Sequence, residues 1–332
     1  MKEIHLVRSS ARLASAAMLA ILFHPFLSAI AQDAPSQDAP APAASPAPTA
    51  PVFPKPDPAD FTAITPTREV VAEFMQANLG FDENNIWQIQ GIQKTQVEGI
   101  SKVTVLIGDK TGKQQPYRFA FFTLPDGKHI IVNDRIIPFG ERPFAEYRSM
   151  LQQRANGPYL GAATKDLELV EFADFQCPHC KAAQANMEKL VADFPKARIV
   201  FQNYPIAAIH QQAVTAANYA TCVAKQAGSA AFFQFAGAVF EGQDGLNSAD
   251  GATLTLNSAA TKAGLDPAKI AACAADPETK ATVDASVQLA SDLNITSVPA
   301  LMVNGRQVPA NAPYETLKAI IHFQATLDGV AQ

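Results

Sequence analysis

Glu171-Phe172-Ala173-Asp174-Phe175-Gln176-Cys177-Pro178-His179-Cys180 is the stretch on which the fold turns. Its front half belongs to Leu167–Ala173 (LELVEFA), an apolar run that predicts a buried strand. Two cysteines at i and i+3 follow. Pro178 sits where the first turn of a helix tolerates proline, because that position has no intrahelical N–H to lose. Ala182, Ala183, Met187, Leu190 and Val191 then recur on one face, as an amphipathic helix requires. Arg198–Gln202 (RIVFQ) is the next strand. Strand, helix and strand within about 35 residues make a βαβ unit.

The cysteine pair carries chemistry at this position. A sulfur at a helix N-terminus faces unpaired backbone N–H groups and the positive end of the dipole, which stabilise a thiolate. His179 adds positive charge beside it. Cys177 is the candidate nucleophile, and Cys180, one turn inside, is the candidate resolving thiol. A C-x-x-C pair is also half of a zinc site. The other half is missing, because Cys222 and Cys273 stand alone and no closely spaced histidine pair is present.

Downstream, an Ala-rich helical stretch covers about 208–294, punctuated by Gly228, Gly242, Gly245 and Gly264. Ala300–Val303 is a short strand after Val298-Pro299, Asn304-Gly305 reads as a hairpin turn, and Pro313–Phe323 as a final helix. Upstream, 61–155 reads as a small α+β domain. Thr65-Pro66 looks like a helix start, Val70, Val71, Phe74 and Met75 share a face, and Gly80 ends the helix. Strand-like runs follow at Ile86–Ile92, Val97–Ile107, Tyr117–Leu124 and His129–Val132, and Phe144–Arg154 reads as a helix. His129 reads as an ordinary strand residue, with no catalytic cluster around it.

Lys2, Arg8 and Arg12 precede the apolar run Leu13–Phe23, and Ala29-Ile30-Ala31 offers an A-x-A site, so 1–31 reads as a cleaved secretory signal. An uncleaved membrane anchor is the alternative. Residues 32–60 are an Ala/Pro-rich tract that cannot bury apolar area and reads as a disordered tether. The 332 residues, 48% hydrophobic, suit two domains, and a net charge of -5 excludes a basic nucleic-acid surface. Export places the four cysteines where disulfides persist.

The segment from Glu171 to Cys180 resembles the active-site segment of DsbA-like thiol–disulfide oxidoreductases. Asn203-Tyr204-Pro205 followed by His210 and an Ala-rich helix, and Val298-Pro299 followed by a strand and Asn304-Gly305, agree with that family in order and spacing. The resemblance covers roughly 160–325 of a domain read as 160–327, and leaves out 61–155. It implies an α/β thioredoxin-like fold with a helical insertion at about 208–294. Cys177 and Cys180 match the redox pair, Pro178 and His179 the dipeptide of strongly oxidising members, Pro299 the cis-proline facing the disulfide, Val298 the residue before it, and Glu171 a buried acid beneath the site.

The activity so implied passes the Cys177–Cys180 disulfide to thiols of unfolded or partly folded secreted proteins in a periplasm. No cofactor or metal is needed, and a DsbB-like or VKOR-like membrane enzyme reoxidises the pair. The family's scale for the thiolate is a pKa lowered from about 8.5 to about 3.5, or ~7 kcal/mol. In an oxidising compartment Cys222 and Cys273, both in the insertion, suggest a structural disulfide worth ~4 kcal/mol. Two buried free thiols are the alternative. The β-rich region 61–155 is similar in layout to the dimerising domain of DsbC-type isomerases, so an isomerase or reductase that forms a homodimer is the second enzymatic expectation. A chaperone-like peptide-binding module with a structural or zinc-binding CxxC is the non-enzymatic one.

Overall fold

The computed structural model describes residues 53–112 and 115–331. The expected export signal and positions 32–52 of the Ala/Pro tract lie outside the described residues. The end of that tract is ordered: Pro58–Asp60 forms a 3₁₀ turn, and Gln93 Nε2 donates to Asp60 Oδ1 at 2.7 Å.

A helix, α1 (Arg68–Leu79), leads into a meander of β1 (Asn85–Lys94), β2 (Ser101–Asp109), β3 (Tyr117–Thr123), β4 (His129–Val132) and β5 (Arg135–Pro138), each antiparallel to the next. Alternation on β2 turns Val103, Val105 and Ile107 to one face, where they pack with Phe121, Ile130 and the Val71, Phe74 and Met75 side of α1. The helix starts two residues later than Thr65-Pro66 implied. Thr67 is the cap, its Oγ1 accepting from the Val70 N–H at 3.4 Å, whereas Thr65 lies outside the helix and accepts from Ser101 Oγ through its carbonyl. β2 starts at Ser101 rather than Val97, because Thr95–Ile100 closes into a turn around Gly99 at φ 75°. β5 was not anticipated. It is created by a two-residue turn between the paired Val132 and Arg135, with Asn133 at φ 54°.

A further helix, α2 (Ala145–Arg154), then leads to the second sheet, formed by β6 (Tyr159–Gly161), β7 (Glu168–Ala173), β8 (Arg198–Asn203), β9 (Ala300–Val303) and β10 (Arg306–Pro309) in the order β10-β9-β7-β8-β6. β7 and β8 are parallel, joined by α3 (Pro178–Asp193), and the other pairs are antiparallel. Every residue of β7, β8 and β9 is buried, because helices cover both faces. α3 and α8 (Tyr314–Leu327) pack on Leu169, Ile199, Leu301 and Val303. On the other face Tyr147 and Leu151 of α2, with Leu289 of α7 (Pro277–Asp292), meet Val170, Phe172 and Val200. Between β8 and β9 the chain inserts α4 (Ala213–Glu241), α5 (Ala249–Lys262), α6 (Pro267–Ala274) and α7. This is the α/β thioredoxin-like fold with a helical insertion. The insertion is several helices rather than one run, and α4 itself breaks at Gly228, whose φ of 75° and ψ of -171° only glycine adopts at low cost.

Hydrogen bonds from Arg306 and Asn294 tie the first region to the second. The buried Arg306 of β10 donates to Ala77 O at the end of α1 at 2.9 Å. Asn294 Nδ2 donates to Ile136 O of β5 at 3.0 Å and to the Tyr147 hydroxyl at 2.7 Å. The β9–β10 turn is Asn304-Gly305, as expected. Gly305 needs to be glycine twice over: its φ is 90°, and a Cβ there would lie 2.3 Å from Phe144 O.

Candidate active site

β7 ends at Ala173, and the chain turns through Asp174, Phe175 and Gln176 to place Cys177 as the N-cap of α3, with Pro178 in the first turn. The aromatic ring of Phe175 anchors this turn. It stacks on Phe201 at 5.3 Å and meets Phe240 at 5.1 Å and Phe235 at 6.2 Å, so the insertion holds the loop against the sheet. Amides pin the backbone. Gln243 Nε2 donates to Phe175 O at 2.8 Å and to Cys177 O at 3.0 Å, Gln176 Nε2 donates to Leu246 O at 3.0 Å, and Gln176 Oε1 accepts from Gln212 N–H at 2.8 Å.

Both thiols are free in this structure. Cys177 is 6% exposed and Cys180 fully enclosed. The Cys177 thiol is lowered from 9.0 to about 6. The largest cause is the Cys180 thiol donating to its sulfur. Burial opposes, the backbone N–H groups of Cys180 and His179 help, and the Asp174 charge opposes. Cys180 is pushed far up by the same hydrogen bond and by burial. His179 contributes its backbone N–H, not the imidazole charge read from the sequence, because its side chain lies exposed to water. The depression is also shallower than the family's scale for a strong oxidant.

Glu171 is 3% exposed, and burial pushes its carboxyl up from 4.5 to about 7, partly countered by Gln184. Gln184 Nε2 bridges the acid and the cysteine helix, donating to Glu171 Oε1 at 3.0 Å and to Cys180 O at 3.1 Å. Val298 packs on the cluster containing both cysteines, and the Val298-Pro299 bond is cis. Cys222 and Cys273 are joined in a disulfide between α4 and α6, 51 residues apart in sequence. The free-thiol alternative is thereby excluded.

Several residues at the site had no sequence assignment. Asp174 is buried and binds His210, Gln176 and Ile206. Gln243, Gln184 and Gln212 support the loop, and nothing in their spacing marks them. Asp174 did carry a signal, because Asp three residues before a helix cap commonly bonds the backbone two residues on. His129 is a strand residue, the first of β4, and it binds Asp126 Oδ2 at 2.6 Å and Glu146 Oε2 at 3.1 Å, which holds its imidazole pKa above 6.5. It lies on the first sheet and takes no part in the site. A cavity of about 920 Å³ lies by Asn203, Gly228 and Ser286, and neither Cys177 nor Cys180 lines it. Among the described residues no group of three or more His, Cys, Asp or Glu side chains is placed to hold a metal ion, and no helix is long and apolar enough to cross a membrane.

A family model described as thioredoxin matches residues 153–322. A Na(+)/H(+) antiporter NhaA 3 of Salinispora tropica is 28% identical over 161 residues, 48% of this chain and 24% of that protein. NhaA 1 of Salinispora arenicola is 27% identical over the same shares. The match thus spans about a quarter of the length of these curated relatives. Among solved structures, a thioredoxin-like oxidoreductase from Silicibacter pomeroyi aligns with a TM-score of 0.47 and 26% identity, over 54% of this chain and 98% of that one. A periplasmic thioredoxin-like protein from Salmonella enterica serovar Typhimurium aligns with a TM-score of 0.45 and 22% identity, over 55% of this chain and 97% of that one.

Proposed function

The chain belongs to the thioredoxin family, and from that premise we propose that it is an exported thiol–disulfide oxidoreductase of DsbA type, working in a periplasm as a dithiol oxidant. The observation that carries this reading is Cys177, a buried sulfur capping α3 and held as thiolate near neutral pH. A thiolate so stabilised is a good leaving group, which makes the disulfide form oxidising.

In the oxidised state a substrate thiolate attacks Cys177 Sγ. The Cys177–Cys180 bond breaks, and the electron pair and a proton go to Cys180. A second substrate thiolate then attacks the substrate sulfur of the mixed disulfide. Cys177 departs as the thiolate, the substrate gains one disulfide, and the enzyme pair gains two electrons. In the reverse direction Cys180 must lose its proton in a buried site. Glu171, close to neutrality in its titration and linked to α3 through Gln184, is the base for that proton. On this reading Val298, which packs on the cluster containing Cys177, and the cis-bonded Pro299 present backbone to an extended substrate. Substrates on this reading are unfolded or partly folded secreted proteins, and a DsbB-like or VKOR-like membrane enzyme reoxidises the pair.

The test is trapping combined with a redox equilibrium. Cys180→Ser should accumulate mixed disulfides with reduced, unfolded protein, and Cys177→Ser should accumulate none. The wild type should equilibrate with glutathione and lie mostly reduced at an equal thiol and disulfide poise. Equal trapping by both variants removes the role assignment, and a predominantly oxidised enzyme at that poise favours a reductase.

A further inference from the structure

Asp174 places a charge among the groups that govern Cys177. Its side chain is completely enclosed. Oδ1 accepts from the Gln176 N–H at 2.8 Å, and Oδ2 accepts from the Ile206 N–H at 2.8 Å and bonds His210 Nδ1 at 2.8 Å. The backbone of the same residue touches both cysteines. Its N–H donates to Cys180 Sγ at 3.4 Å, and its carbonyl accepts from the Cys177 N–H at 3.1 Å. Enclosing a carboxylate costs free energy that only hydrogen bonds and an opposite charge offset. Of its three partners, His210 alone is able to carry a compensating charge, and at 16% side-chain exposure it sits between the carboxylate and water.

Among the other charged groups around the loop is Lys181 of α3, an exposed cation whose backbone N–H donates to Cys177 O at 3.2 Å. Glu171 lies beneath from β7, and His179 is exposed on α3. From the insertion, the side chains that reach the loop backbone are amides and rings: Gln243 and the phenylalanines around Phe175. The charged pair on the Ile206 side of the loop is one acid and one imidazole, 36 residues apart in sequence.

We propose that Asp174 and His210 form a charge clamp that sets how strongly Cys177 is held as thiolate, and hence how oxidising the Cys177–Cys180 disulfide is. The Asp174 carboxylate opposes the thiolate, and His210 offsets the carboxylate. Both are positioning residues that act through Cys177. The clamp rests on the oxidoreductase reading above and adds the regulation of its sulfur.

Removing the carboxylate and removing its offset must push in opposite directions, whereas loosening of the loop pushes both variants the same way. The experiment uses the full chain as wild type, Asp174→Asn, His210→Gln and the double variant. The Cys177 pKa is read from the pH dependence of thiolate ultraviolet absorbance, and the redox equilibrium constant from titration with glutathione. Asp174→Asn should lower the pKa by about one unit and move the equilibrium about tenfold towards the reduced enzyme. His210→Gln should raise the pKa by a similar amount and move the equilibrium about tenfold the other way. In the double variant the His210 effect should vanish, since nothing remains to offset. Shifts of the same sign, no shift, or a His210 effect that persists without Asp174 overturn the clamp. Should Asp174→Asn not fold, His210→Gln decides alone, because no rise in the Cys177 pKa overturns it. A wild type that does not exchange with glutathione at all removes the oxidoreductase reading itself, a result distinct from failure of the clamp in an exchanging enzyme.

Discussion

Cys177 ties redox state to stability. Its thiol titrates at about 6 in the fold against an ordinary 9.0. A depressed pKa stabilises the folded, reduced form fully above the unfolded value and not at all below the folded one. The window is therefore about pH 6 to 9, and the stabilisation grows from its lower edge to its top. Cys180 reverses the trend above pH 9, because the unfolded thiol ionises there while the buried one keeps its proton. Glu171, raised from 4.5 to about 7, costs stability as pH climbs through that range. The disulfide closes only a four-residue loop, so it gives little entropic return. Denaturant melts of both forms should show the reduced enzyme more stable at pH 7.5 and the gap closed at pH 5. A more stable oxidised form at pH 7.5 would contradict the oxidant role.

The helical insertion depends on its own covalent tie. Cys222 is fully buried on α4 and joined to Cys273 on α6, and Thr279 Oγ1 at the start of α7 lies 3.5 and 3.7 Å from the two sulfurs. Three helices thus converge on one disulfide. The insertion carries Gln243 and the Phe232, Phe235 and Phe240 rings that seat the Cys177 loop. Replacing Cys222 and Cys273 by alanine frees a loop of about fifty residues and should cost ~4 kcal/mol in the chain-entropy account. The loss should appear as a lower denaturant midpoint in both redox states. Under mild reduction and alkylation, mass spectrometry should find label on Cys177 and Cys180 before Cys222 or Cys273. Early label on Cys222 would show that the pair turns over.

Where the chain is divided matters for how it is dissected. A boundary at 155 follows the sequence pattern, since α2 reads as the end of the first α+β region. The structure instead buries Tyr147, Leu151 and Ala155 against Val170, Phe172 and Val200 of the second sheet. A chain starting at 156 loses those side chains from the core, at roughly 2–5 kcal/mol for each large one removed. A chain starting at 141 keeps them. The longer fragment should therefore melt cooperatively and retain exchange with glutathione, while the shorter melts far lower. Equal melting of the two would show α2 to be dispensable. On the proposal that the first sheet dimerises the enzyme, the fragment from 141 should also be a monomer by light scattering where the full chain is a dimer.

What was legible in the amino-acid order is what short-range physics controls. The strand before the cysteines, proline in the first turn, the i and i+3 spacing of Cys177 and Cys180, the Gly80 stop and the Asn304-Gly305 turn each depend on neighbours within a turn or two of chain. Glu171 was legible as a buried acid only through resemblance, because β7 is covered on both faces and its alternation is lost. Three-dimensional packing alone decided the rest. The pairing of Asp174 with His210, the reach of Gln243 to Cys177 from 66 residues away, and the allegiance of α2 to the second sheet are choices among distant partners. Polar side chains carry no periodicity that announces such partners. Their hydrogen bonds become worth making only after burial has excluded water from both ends.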